Sequence, residues 1–278
     1  MSIKLITDSS ADLPKELLQS YNIGLIPLTV HMDDEEFFDC IDITPEEFFE
    51  KLDSLKTMPK TSQVSPQQFV SAFEKDLKEY DEIICVTISS NASGTYQSAV
   101  LAKNEVGSDR IHVVDSYVLS MGTGLLVLEI ADLIKEGKTV NEILAKVESI
   151  KSRIDQRFTV DSLEYLQKGG RIKKSSMVIG KLLNIIPILS VEDGLTVAIK
   201  KTRSYKGAFR FYKDFVNESP VKRICIGHGN DIEKAMKLKQ YFDKELSEKH
   251  DFIISNIGAT IGCHAGPGVL HVAIVREE

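Results

Sequence analysis

The chain has 278 residues, 42% of them apolar and 27% charged, with a formal net charge of −7. This is the balance of a soluble globular protein long enough for two lobes or one large domain. It excludes an extended disordered chain and argues against broad binding to a nucleic-acid backbone. No apolar run approaches the roughly 18 residues of a spanning helix. The longest, at 122–134 and 182–191, are interrupted or bounded by Glu129, Asp132 or Asn184. The N-terminus lacks a signal-peptide core, and Cys40, Cys85, Cys225 and Cys263 form no CxxC pair. The expectation is a cytoplasmic protein with neither structural disulfides nor a cysteine zinc site.

The pattern predicts a strand over 3–7 ending in Asp8-Ser9-Ser10, a helix over 13–21 and a second strand over 25–31. Thr44-Pro45-Glu46-Glu47 and Ser65-Pro66-Gln67-Gln68 are capping signatures with proline in the first turn, so each opens a helix, the second reaching about 80. A strand at 82–88, a polar turn, a helix at 95–104, a strand at 111–114 and helical stretches to about 153 follow. Such alternation implies a mostly parallel sheet covered on both faces.

The second half has another rhythm. A strand at 157–160 precedes a short helix at 162–168 stopped by Gly169-Gly170. Strands at 185–191 and 195–201 flank Glu192-Asp193-Gly194, a hairpin signal. A helix at 205–217, a strand at 223–226, a helix at 232–248, a strand at 251–255, a glycine-rich loop and a last strand at 269–275 complete the chain. The fold expected is α/β in two lobes. Residues 1–155 form a mostly parallel α/β/α lobe, and residues 156–278 a mixed or antiparallel sheet with helices.

Ligands in open α/β sheets bind beyond the carboxyl ends of strands, where helix N-termini offer free amides. Four polar loops qualify: Thr7-Asp8-Ser9-Ser10, Thr61-Ser62-Gln63-Val64-Ser65-Pro66, the run from Ser89 to Gln97, and the glycine-rich run from Gly258 to Gly268. Ser93-Gly94 could hold a carboxylate or phosphate, or Ser93 could merely cap a helix. His264 has the greatest functional potential of the six histidines, and none has a partner at metal-ligand spacing. The chain lacks the phosphate loop of nucleotide triphosphatases and the G-x-S-x-G elbow of serine hydrolases. Gly227-His228-Gly229-Asn230-Asp231-Ile232 is a weak dinucleotide lookalike. Asp8, Ser93 and His264 could in principle compose a triad, but spacing does not bring them together. A basic cluster, Arg171-Ile172-Lys173-Lys174 with Lys168 and Lys181, is either a solvated helix end or a docking point for an acidic partner.

Together these segments resemble the DegV family of bacterial fatty-acid-binding proteins, whose characterised members are the lipid-carrying subunit of fatty acid kinase. The resemblance covers nearly the whole chain. It rests on Thr7-Asp8-Ser9-Ser10-Ala11-Asp12-Leu13-Pro14, Thr61-Ser62-Gln63, Ser93-Gly94-Thr95-Tyr96-Gln97-Ser98-Ala99, Asp161-Ser162-Leu163-Glu164-Tyr165-Leu166, Gly169-Gly170-Arg171-Ile172 and Ile261-Gly262-Cys263-His264-Ala265-Gly266-Pro267-Gly268. It implies a fatty acid of the palmitate or oleate class buried between the lobes. Thr61 and Ser93 would bond the carboxylate, Gly94 would lend backbone, and His264 would join the polar network. Asp8 and Ser62 would stand behind them.

The resemblance further implies a carrier with no cofactor, metal or catalytic residue of its own. Its partner, a kinase subunit, would phosphorylate the bound acid to acyl phosphate, and lipid exchange would involve transient contact with the inner face of the membrane. Arg171 would engage the kinase. Because Gly169-Gly170 should turn the chain outward, its side chain is expected at the surface. Ala92, Val64, Ile186 and His271 depart from the usual family residues. Two other functions compete: an acyl hydrolase or acyltransferase using Ser93 with His264, and a lipid-dependent regulator without a kinase.

Overall fold

The computed structural model describes residues 2–173 and 185–278. Lys174, Lys181, Leu182 and Asn184, named above, lie outside the described residues.

Strand β1 (Ile3–Asp8) ends in a 3-10 turn, Ser9–Ala11, followed by α1 (Lys15–Ser20). The strand expected over 25–31 is in fact two, β2 (Gly24–Ile26) and β3 (Thr29–Met32). Pro27 lies between them and has no amide hydrogen to continue a ladder. β3 leaves for a small antiparallel sheet with β4 (Glu35–Phe38) and, beyond α2 (Pro45–Leu52), β5 (Lys60–Ser62). The polar segment opening at Thr61 thus begins inside a strand. Thr44 and Ser65 form complete capping boxes with Glu47 and Gln68 on α2 and α3 (Pro66–Asp76).

Strand β6 (Glu82–Thr87), α4 (Thr95–Val106) and β7 (Ile111–Asp115) complete a four-stranded sheet in the order β2-β1-β6-β7, every pair parallel. The chain steps from β1 to β2 on one side and returns to the other with β6. The switch point of the sheet therefore lies between the carboxyl ends of β1 and β6.

Helices α5 (Met121–Lys135) and α6 (Val140–Arg153) lead to β8 (Ile154–Thr159) and α7 (Glu164–Gly169), which ends at Gly170 in the left-handed region. β9 (Ile186–Glu192) and β10 (Leu195–Thr202) form the expected hairpin. Its turn residues Asp193 and Gly194 both have positive φ, 50° and 70°, as a type I′ turn requires. Then come α8 (Tyr205–Val216), β11 (Val221–His228), α9 (Ile232–Glu245), β12 (Phe252–Asn256), α10 (Ala259–Ala265) and β13 (Leu270–Arg276). The second sheet is mixed, ordered β10-β9-β8-β13-β11-β12, with only β11 and β12 parallel.

Alternation along the strands sorts the core. In the first sheet Ile6, Ile83 and Cys85 face α3 and α4, whereas Leu5, Ile84 and Val86 face α5. In the second, Ile224, Ile226, Val272 and Ile274 face α8 and α9, whereas Cys225, Ala273 and Val275 face α5 and α6. The apolar run at 122–134 is α5, and it lies between the two sheets with every residue from Met121 to Ala131 buried. Over that stretch it has no solvent face, and its buried carboxylate, Glu129, is paired with Lys222 and Arg223 of β11. No helix among the described residues is long and apolar enough to cross a membrane.

Candidate functional site

A cavity opens at the switch point. Leu28 and Ile88, the latter just past β6, line it together with Phe158 of β8, Thr196 of β10, His271 of β13 and Ile261, His264 and Ala265 of α10. The space between its walls, with the open mouth included, is about 690 Å³. Most of its wall is apolar. Its polar groups include Thr61, Ser93, Arg171 and His264.

Each of these is placed by a different element. Strand alternation turns Thr61 of β5 toward the cavity. Its neighbour Ser62 is exposed, and the Ser62 hydroxyl lies 2.7 Å from Nε2 of His31. Ser93 ends the turn after β6, where the amides of Ala92 and Ser93 both donate to the Ser89 carbonyl. The Ser93 hydroxyl accepts from the Thr95 amide at 3.3 Å and lies 2.9 Å from the Thr95 hydroxyl. Ser93 therefore steadies the helix entrance from one residue before the cap, and it lines the cavity.

Gly94 is the N-cap residue of α4. A Cβ there would stand 1.9 Å from Oε1 of Gln63. Gln63 in turn donates from Nε2 to the Ser98 hydroxyl at 2.9 Å, so the close approach ties the end of β5 to α4 and holds Thr61 near Ser93.

His264 sits near the end of α10. This segment is a helix, not the open glycine-rich loop the sequence suggests. The reason is long-range capping: the Asp12 carboxylate accepts from the Gly258 amide, and that of Asp39 from the Ala259 and Thr260 amides. Nε2 of His264 lies 2.9 Å from the Thr61 hydroxyl, and Nδ1 is buried with no partner. Burial, and then the charge of Arg171, push its pKa down to about 4, so the ring is neutral at pH 7. A proton on Nδ1 would find no acceptor. The proton is therefore assigned to Nε2, which donates to Thr61 and leaves the threonine hydroxyl free to donate onward.

Arg171 is half-buried, and its side chain turns inward rather than to the surface as the sequence suggested. Nε donates to the Ala92 carbonyl at 3.1 Å and Nη1 to the Gly169 carbonyl. The chain is pinned there by two backbone bonds, Arg171 N to Leu166 O and Thr196 N to Arg171 O, which draw it against β10. An outer groove, with Lys60, Lys168 and Gly169 in its wall, shares Thr61, Arg171 and His264 with the inner cavity. These three residues form the partition between the two.

Asp8 stands outside the wall. Its carboxylate accepts from the Ser10 amide and hydroxyl and from the Ile88 amide, so it staples β1 to the end of β6. Burial lifts its pKa to about 6. It makes no bond to His264, and Ser93 makes none, so the structure does not bring Asp8, Ser93 and His264 together as a triad. Sequence reading missed Gln63, Gly169, Thr196 and the pair Gln156 and His271 as parts of this site. Gln63 and Gly169 stand inside the segments Thr61-Ser62-Gln63 and Gly169-Gly170-Arg171-Ile172, and His271 stands out as a departure from the usual family residue; Thr196 and Gln156 carry no signal in the sequence.

Residues 2–277 match the family model of the uncharacterised-protein family DegV. The chain belongs to the DegV family. A DegV domain-containing protein of Caldanaerobacter subterraneus subsp. tengcongensis is 38% identical over 269 residues, covering 95% of each chain. Among solved structures, a DegV family protein of Thermus thermophilus, described for its fatty acid binding, superposes with a TM-score of 0.91 at 32% identity over the full length of both chains. DegV of Bacillus subtilis, described as a fatty acid binding protein, superposes with 0.87 at 31% identity, again over both full lengths. The mixed α/β architecture described above is thus that of the DegV fold.

Proposed function

We propose that this protein binds a long-chain fatty acid of the palmitate or oleate class in the cavity, with the carboxylate held by Thr61, Ser93, Gly94 and His264. A partner kinase would phosphorylate the acid there. The observation that carries this reading is the partition: one polar cluster faces an apolar cavity on one side and a surface groove on the other. The apolar side suits the chemistry of an acyl chain, and the groove offers a place for an approaching enzyme. The fatty-acid-binding descriptions of the Thermus and Bacillus proteins support the ligand class.

Energetics supports a carrier. Burying about sixteen methylenes at roughly 0.8 kcal/mol each is worth on the order of 13 kcal/mol. A bilayer offers nearly the same, so exchange at the inner face of a cytoplasmic membrane is close to neutral for the tail and the head group decides. Neutral hydroxyl donors to a desolvated carboxylate form charge-assisted bonds and tolerate the added charge of an acyl phosphate. A hydrolase reading has less support, because the His264 nitrogen facing Thr61 is committed there and the other has no acid to orient it.

In this reading residues 1–155 and 156–278 act as two lobes, supported by the separate origin of the sheets. Arg171 would serve both the carboxylate and the kinase, from its place in the partition. Extraction of the purified protein with organic solvent followed by mass spectrometry should recover a stoichiometric long-chain acid. Turnover of an acyl ester that disappears in Ser93→Ala would replace the carrier reading with the hydrolase. With a cognate kinase, Arg171→Ala should lose acyl phosphate production more steeply than fatty acid affinity. Equal losses would confine Arg171 to the pocket.

A further inference from the structure

The cavity contains a polar pair that the carboxylate site does not use. His271 of β13 and Gln156 of β8 both line it, at 3% and 2% exposure. Gln156 lies against the peptide groups of Leu119. With its amide turned so that the oxygen accepts from Leu119 N at 3.2 Å, the nitrogen donates to Leu119 O at 2.9 Å and to Nε2 of His271 at 3.0 Å. That orientation satisfies every group of the amide that meets a neighbour.

It also fixes the imidazole. Nε2 accepts, so in a neutral ring the proton is on Nδ1. Burial keeps the ring neutral, with a pKa pushed down to about 4. Nδ1 has no partner among the described residues, while Phe158 packs edge-on against the ring at 5.9 Å between centroids. The cavity wall therefore holds one oriented N–H donor without an acceptor. Once a ligand fills the cavity and excludes water, an unpaired donor there is costly unless the ligand itself meets it.

We propose that His271 is a second recognition point and that the preferred ligand is a fatty acid carrying an acceptor oxygen, as hydroxyl or ketone, along its chain. This rests on the fatty-acid reading and narrows it. A plain saturated chain slides past the N–H and leaves it unpaired, whereas an oxygen at the matching carbon accepts from it. Gln156 is the positioning residue, since its grip on the Leu119 peptide decides which nitrogen carries the proton.

The test uses the delipidated full-length protein with stearic acid and a positional series of hydroxystearic acids. One isomer should bind about tenfold more tightly than stearate, and to His271→Leu that isomer should bind no more tightly than stearate binds to the same variant. Histidine nitrogen NMR of the unmodified protein gives a reading independent of how the variant folds. The His271 proton should be on Nδ1, and its signal should shift with the preferred isomer. Stearate binding with no isomer favoured, a preference that survives His271→Leu, or a proton on Nε2 would overturn the proposal and leave the fatty-acid reading standing. Failure of both stearate and every hydroxystearate to bind would bring down that reading as well.

Discussion

The Thr61 hydroxyl accepts from His264 and, by the tautomer assigned there, remains free to donate. Thr61→Val keeps the shape and drops the hydroxyl, leaving both the carboxylate and the His264 N–H short of a partner. It should weaken fatty acid binding by roughly 1.5–3 kcal/mol, about ten- to a hundredfold. Ser93→Ala should cost a similar amount. Titration of a fluorescent fatty acid checks both, and unchanged affinity in the pair would move the carboxylate elsewhere. Thr61, Ser93 and His264, named from their segments, all line the cavity, and Gly94 is the N-cap of α4 beside Ser93. The inward turn of Arg171 could not be read from its segment, because two backbone bonds with partners at Leu166 and Thr196 set it.

At the scale of elements, α7 and α10 meet through a missing side chain. A Cβ on Gly169 would lie 2.4 Å from Nδ1 of His264. Glycine to alanine inside a helix ordinarily gains up to about 1 kcal/mol. Here Gly169→Ala should destabilise instead, and displace His264 from Thr61. A lower melting temperature together with weaker fatty acid binding is expected, and a stabilised protein with full affinity would contradict the contact. Local signals made most elements readable: the capping boxes at Thr44 and Ser65 and the Asp193-Gly194 turn are written within a few residues of the structures they set. α10 was unreadable for the opposite reason. Its caps come from Asp12 and Asp39, more than 200 residues away in sequence, and its Gly262 packs where a Cβ would meet the Phe48 ring at 2.5 Å.

For the whole molecule, His264 and His271 are buried with pKa values pushed from 6.5 to about 4. Between those values the unfolded chain binds more protons, so each histidine contributes stability that is present above pH 6.5 and lost as pH falls toward 4. Asp8, raised from 3.8 to about 6, acts in the opposite sense over the lower part of that window. The difference between variants isolates one histidine. On going from pH 7 to pH 4, unmodified protein should lose roughly 3 kcal/mol that His271→Leu does not. Urea unfolding at a series of pH values measures this, and parallel curves would mean that His271 is not buried neutral. The apolar run at 122–134 was legible as too short for a membrane. Its place between two sheets was not, because its partners Cys225, Ala273 and Val275 belong to strands of the second half.

That placement has a consequence for biosynthesis. The ribosome delivers α5 well before β11 and β13, so the nascent first half emerges with one side of its most apolar helix uncovered. Translation must pass β13, which spans Leu270–Arg276, before that side is sealed. The newborn chain is therefore a natural client for chaperones that grip apolar helices, and a stop codon in the final strand would leave the product sticky rather than merely shortened.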